Sequence, residues 1–213
     1  MGQALVGDLL AEVRLTLDEN QKESAYLESG TDNMELDEII RAKLPDAVKA
    51  IHSACPAGML EPLPMDIPEA AQYKGTDGSG YVVLPPDFLR LVHFKLVSWN
   101  RGCSVAHEEG SRTALMQRNP FTRGTPLKPV CVFSHDLNGN RVLRYYTSDG
   151  GNHKIDISLY VPVPQIKTVG GVETLHVSEL ARVPIVNYCA GLVEASRGND
   201  GRRFFDLASS LIS

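Results

Sequence analysis

The segment Leu84-Pro-Pro-Asp-Phe-Leu-Arg-Leu-Val-His-Phe-Lys-Leu-Val-Ser-Trp-Asn-Arg101 constrains this chain more than any other. Pro85 and Pro86 lack a backbone N–H and fix their own φ, and each pushes the residue before it toward extended geometry. The apolar run Tyr81 to Leu84 therefore stops, and the sequence predicts a turn followed by a new strand. Across Leu89 to Trp99, one face carries Leu89, Leu91, His93, Lys95, Val97 and Trp99, the other Arg90, Val92, Phe94, Leu96 and Ser98. Both faces are largely apolar, so the expectation is a central strand covered on both sides, its Arg and Lys stems snorkelling at the rim.

Ahead of this segment the apolar period is helical. Leu5, Leu9, Val13 and Leu17 recur every four residues, widened by Val6 and Leu10, which predicts a helix over 5–19. Residues 20–30 are polar and acidic around Tyr26 and Leu27 and read as a loop. Asp32 and Glu35 then form a capping-box-like pair before the stripe Leu36, Ile39, Ile40, Leu44, Ala47, Val48 and Ile51. That stripe continues through Pro45 and predicts a kinked helix over 34–54, or else two short helices, ended by Cys55-Pro-Ala-Gly58. Pro62, Pro64, Pro68, Gly75, Gly78 and Gly80 make 61–80 read as a linker.

Beyond Arg101 the chain makes a long basic excursion over 102–128, with a short helix capped by Ser111. Runs at 129–134 and 141–147 predict a hairpin across Asp136 to Asn140, where Asn138-Gly139 signals a type I′ turn. The same loop imitates a calcium site, but the glycine and the bidentate acid are misplaced. A third strand, 154–161, closing at Pro162 would extend the hairpin into an antiparallel meander through a turn at 148–152. At the C-terminus Ser178, Pro184, Ile185, Tyr188, Cys189 and Leu192 mark a helix that Gly198 stops. Asn199 or Asp200 then caps a last helix with Phe204, Phe205, Leu207, Ala208, Leu211 and Ile212, apolar on more than one side.

The fold class expected is therefore α+β, a helical bundle of N- and C-terminal helices plus an antiparallel β module. Residues 1–60 supply the N-terminal helices, 61–80 the linker, 81–165 the β module, and 166–213 the C-terminal helices packing on the first ones as one composite domain.

Composition narrows the chemistry. With 43% hydrophobic and 22% charged residues, a folded globular chain is expected and wholesale disorder is not. The N-terminus does not read as a signal peptide and no apolar run approaches a membrane span, so a soluble, cytoplasmic protein without membrane contact is expected. Cys55, Cys103, Cys131 and Cys189 form no C-x-x-C pair and read as free, buried thiols, and His52 with Cys55 as ordinary packing. No hydrolase, metalloprotease or phosphate-loop motif occurs, and the consecutive Glu108 and Glu109 diverge, so no catalytic, metal or cofactor residue is assigned and an enzyme is not expected. Residues 1–74 carry six Lys/Arg against fourteen Asp/Glu, while 75–150 carry nine against six. Arg112, Arg118, Arg123 and Lys128 cluster in one loop, yet an acidic chain without a recognition helix is a poor specific nucleic-acid binder.

Taken together, the helix from Val6 to Leu17, the Leu36-to-Ile51 stripe, the Leu84-to-Arg101 segment, the β runs and the helices around Tyr188-x-Ala190 resemble the head-to-tail adaptors of short-tailed double-stranded-DNA bacteriophages, the tail tubular protein A-like group. Pro45 and the 102–128 excursion depart from the simplest pattern. The resemblance implies a structural virion protein at the head–tail junction, assembled in host cytoplasm. It implies a ring, typically of twelve copies, that joins the portal protein to other tail or ring proteins and extends the channel for non-specific passage of double-stranded DNA. On this reading Arg202, Arg203, Phe204, Phe205, Leu211 and Ile212 meet the portal, and Arg112, Arg118, Phe121, Arg123 and Lys128 meet a neighbouring subunit or tail ring. The alternative is a monomeric soluble binding module or small enzyme with an unrecognised site.

Overall fold

A computed structural model describes residues 2–17, 31–148 and 152–213, with the backbone alone at 31–35. The expected loop at 20–30, the Asp32/Glu35 capping pair and the centre of the 148–152 turn lie outside the described residues. The protein is a mixed α and β fold whose chain divides into two compact units, Met1–Glu61 with Val163–Ser213, and Pro62–Pro162.

In the first unit, β1 (Gln3–Leu5) leads into α1 (Val6–Thr16), and α2 spans Thr31–Ala54. The α1 stripe buries Val6, Leu9 and Val13, with Leu17 just beyond, while Leu5 sits in the preceding strand and is exposed. Helix α2 is continuous through Pro45, burying Leu36, Ile40, Leu44, Ala47, Val48 and Ile51. Burial of this stripe outweighs the one hydrogen bond that proline removes.

The expectation of a purely helical 166–213 fails. β10 (Lys167–Val169) and β11 (Val172–His176) form a hairpin, and β11 pairs antiparallel with β1. Its two-residue turn is Gly170-Gly171, with φ of 60° and 81°, the left-handed geometry that matches the twist of the flanking strands. α4 (Arg182–Ser196) and α5 (Arg202–Ser210) follow. Gly198, at φ 83°, ends the first of them. Helix α4 is in contact with α1, α2 and α5. Two ion pairs hold α1 to its neighbours, Arg182 to Glu12 at 2.6 Å and Arg14 to Asp37 at 2.6 Å, while Arg41 reaches Glu173 on β11.

In the second unit, residues 61–80 are not an irregular linker. They contribute β2 (Leu63–Pro64), β3 (Gln72–Lys74) and the first residue of β4 (Gly80–Val83), because the prolines fall at strand ends and edges where no ladder N–H is needed. β5 (Phe88–Leu96) follows the Pro-Pro-Asp turn, which Phe88 closes by donating to the Pro85 carbonyl. Then come β6 (Ala106–Glu108), α3 (Arg112–Met116), β7 (Val130–His135), β8 (Arg141–Tyr146) and β9 (Ile155–Pro162).

These strands make two sheets, ordered β2-β9-β5 and β3-β4-β8-β7-β6, so the double proline is the corner where the chain leaves one sheet for the other. β5 is consequently an outer strand of its sheet and not a central one. Register shifts between Phe88/Arg90, Leu91/His93 and Lys95/Leu96 each turn the strand's face, which is why Phe88, Leu91, Phe94 and Leu96 are buried instead of every second residue. The expected meander also fails, since β9 pairs with β5 and β2 and not with β8. The β7–β8 hairpin forms, but Asn138 is not left-handed. Asp136 accepts from the backbone of Asn138 and Asn140, and only Gly139 takes positive φ, at 81°. Phe94, Trp99, Tyr145, Leu143, Cys131 and Met65 belong to the one core that both sheets share. All four thiols are free and buried, as expected, and burial pushes Cys189 up to about 12.

Candidate interaction surface

The 102–128 excursion is a built structure. Ser111 accepts from the Ala114 N–H at 3.2 Å, the N-cap that its hydroxyl predicts, and starts α3. Gln117, 2% exposed, donates to the Thr113 carbonyl at 2.9 Å and accepts from Gly124 N–H at 2.7 Å. Thr122 donates to the Met116 carbonyl at 2.7 Å, and Asn119 accepts from Phe121 N–H at 2.9 Å. Every one of these bonds closes the loop upon itself.

Arg123 and Thr147 add side-chain ties between its base and the sheet. Arg123 donates to Asp77 at 2.9 Å and to the Gln117 carbonyl at 3.1 Å, and lies over the Tyr146 ring. The Ser79 hydroxyl and N–H, then the Arg123 guanidinium, hold Asp77 down at about 2. Thr147, at φ 66°, donates to the Gly124 carbonyl and accepts from Trp99 Nε1 at 2.9 Å. A β-branched residue in the left-handed region is strained, and that conformation holds where loop, Trp99 and β8 meet.

Phe121 stands on this base 96% exposed. Leu115, Met116 and Leu127 are exposed in the same segment, as are Arg112, Arg118 and Lys128, none of which makes an ion pair among the described residues. Arg123 alone of the candidate loop residues is turned inward. Its charge serves Asp77, a partner 46 residues away that spacing does not reveal.

The C-terminal candidates divide in the opposite sense. Arg202 and Arg203 are exposed, with Arg203 over the Phe204 ring at 4.3 Å, and Leu211 is 42% exposed. Phe204 is buried and Phe205 half-buried, with Ile212 likewise half-buried. Phe205 meets Tyr188 edge-on at 4.9 Å, and a Cβ on Gly191 would lie 2.7 Å from its ring. Gly201 and Gly191 approach so closely that a Cβ on Gly201 would stand 2.4 Å from the Gly191 carbonyl. Both phenylalanines therefore belong to the packing of α5 on α4. Leu207, which the sequence reading placed on the last helix but not among the candidate contact residues, is also exposed.

One further constellation looks catalytic on paper. His153, 4% exposed, lies 3.2 Å from the Ser148 hydroxyl by its Nε2 and 2.9 Å from Tyr145 Oη by its Nδ1. Its Nε2 also faces the Gly75 carbonyl at 3.1 Å, which can only accept. Nε2 thus carries the proton, and Nδ1 accepts from Tyr145, whose hydroxyl in turn accepts from Gln72 at 3.0 Å. A nitrogen already protonated toward a carbonyl is no base for Ser148. Burial pushes Tyr145 up to about 12, so it remains a neutral donor. This is a satisfied polar knot that pins β3, β8 and the start of β9.

Among the described residues no group of three or more His, Cys, Asp or Glu is placed to hold a metal, and no helix is long and apolar enough to cross a membrane. No protein-family model matches the chain, and no curated protein matches it.

Proposed function

We propose that this protein is a ring-forming structural adaptor of the head–tail junction of a short-tailed double-stranded-DNA bacteriophage, seated between the portal and the tail. The observation that carries the reading is Phe121, 96% exposed at the head of a loop tied down by Gln117, Arg123 and Thr147. An aromatic presented on a preorganised base is how interfaces concentrate their binding energy, since little ordering entropy remains to be lost. The function is structural: no residue is given a catalytic role.

Within this reading the N- and C-terminal helices act as one helical bundle, supported by the contacts of α4 with α1, α2 and α5. The first unit carries ten Lys/Arg against seventeen Asp/Glu and the second eleven against nine, an imbalance suited to head-to-tail contact between copies and to a channel wall that does not retain DNA. The portal-facing surface is the outer side of α5, Arg202, Arg203, Leu207 and Leu211. Phe204 and Ala208 are buried, so the surface is tested by substitution and not by removing the helix. Arg203→Glu with Leu207→Asp should abolish co-sedimentation with the portal protein of the same genome while leaving the circular dichroism spectrum intact. Undiminished co-sedimentation of that folded variant would remove α5 from the portal interface.

A further inference from the structure

Beside β5, which lies at the end of its sheet, the second unit carries a cleft of about 240 Å³ lined mostly by the apolar Leu89, Leu91, Val105, Ala106 and Phe133, with Arg90 and Ser104 also on its wall. Val105 is 67% exposed, and Phe133 packs edge-on against Phe88 at 5.7 Å, which gives the cleft a rigid floor. Small-molecule sites run from about 300 to 1,000 Å³, so this one suits a single inserted side chain better than a ligand.

Phe133 also lines a neighbouring cleft with Glu108 and Glu109. Both carboxylates are exposed. Glu109 accepts from the Ser134 hydroxyl at 2.9 Å, and Glu108 makes no ion pair among the described residues. Of the cations nearby, Arg141 lies over the Phe88 ring and Arg90 is engaged within its own chain. The same unit thus holds an apolar slot with two acids beyond it and, separately, an apolar knob, Phe121, in a segment whose exposed Arg112, Arg118 and Lys128 make no ion pair among the described residues.

We propose that Phe121 of one copy seats in the Leu89–Val105–Phe133 cleft of a second copy, with the loop cations facing Glu108 and Glu109. The inference rests on the assembly reading above and names the contact that drives it. Knob and slot are different surfaces of one chain, so a copy whose slot is filled by a second can offer its own knob to a third, which makes the contact heterologous. Repeated, it closes into a ring or runs on as a filament, whereas reciprocal exchange between two copies would stop at a dimer. Burial of an aromatic side chain supplies the affinity, and the charge pairs fix the direction.

The test mixes two full-length variants, Phe121→Cys and Val105→Cys, under assembly conditions with and without the portal, and adds a short bismaleimide. The four native thiols are buried, and the parent chain carried through the same treatment is the blank for them. Cross-linked dimers containing one copy of each variant are expected in the mixture and absent from either variant alone. In parallel, Phe121→Asp and Val105→Asp should each raise the concentration for half-assembly about tenfold or more. Leu137→Asp, at a fully exposed hairpin tip, should leave it unchanged. Assembly without the mixed cross-link, or cross-linking of Phe121→Cys to itself, overturns this contact and leaves the adaptor reading standing. A chain that stays monomeric at every concentration, with or without the portal, overturns both.

Discussion

Two segments of this chain combine phenylalanine with arginine, and they use the combination in opposite ways. In α5 the aromatics turn inward, Phe204 buried and Phe205 laid on the bare backbone of Gly191. In the 102–128 loop the aromatic turns outward, and one arginine, Arg123, is drawn in to hold the base. Apolar content alone does not tell a core residue from an exposed one. What separates them is whether the neighbouring backbone leaves room: two glycines let α5 close on α4, whereas hydrogen bonds among Met116, Gln117, Asn119 and Thr122 fill the underside of the loop and leave Phe121 nowhere to fold back.

The sharpest way to break this contrast is to truncate both aromatics. Phe204→Ala should cost about 3–5 kcal/mol of unfolding free energy, the range for a buried phenylalanine. Phe121→Ala should stay within about 0.5 kcal/mol of the parent, as exposed positions do. Urea denaturation monitored at both sites reads the difference; equal losses would mean that Phe121 is not free. The next test acts on the glycines. Gly201→Ala places a methyl against the Gly191 backbone and should destabilise by about 1–3 kcal/mol, the range for overpacking, with the loss seen as earlier exchange of the α5 amides.

The smallest effect is expected at the loop's anchor. Asp77 sits at about 2 in the folded chain and near 3.8 when free, so its contribution is fully present above pH 4 and is lost as pH falls through about 2. Its carboxylate is 54% exposed, which limits that contribution to below about 1 kcal/mol. Asp77→Asn should therefore flatten loop protection between pH 4 and 2, measured by amide exchange at Gly124, while global stability at pH 7 changes little. Unchanged acid dependence in the variant would assign the loop's hold to Thr147 and Gln117 alone.

The sequence spoke most clearly where one element decides its own burial. The stripes of α1 and α2, the Ser111 cap and the Gly198 stop were all legible because period and capping are local. The β10–β11 hairpin has a local signal too, Gly170-Gly171 between valines, but the helical periods on its C-terminal side outweigh so short a pair of strands. The failed meander is a different case. β9 and β5 are partners across some sixty residues, and the three register shifts that hide β5's alternation are visible only once the pairing is known. In the candidate surface, the basic excursion could be located, but the inward turn of Arg123 depends on Asp77, and the inward turn of Phe205 on a glycine in another helix. The Gln72–Tyr145–His153 knot joins positions 73 and 81 residues apart, with no spacing to announce it.

The adaptor reading is tested most directly by solution mass as a function of concentration, with negative-stain images, first for the chain alone and then with the portal protein of the same genome. The account predicts closed rings, either unaided or on the portal, that carry many copies per portal and dissolve with Phe121→Asp. A strict monomer across the whole concentration range that never sediments with the portal would contradict it.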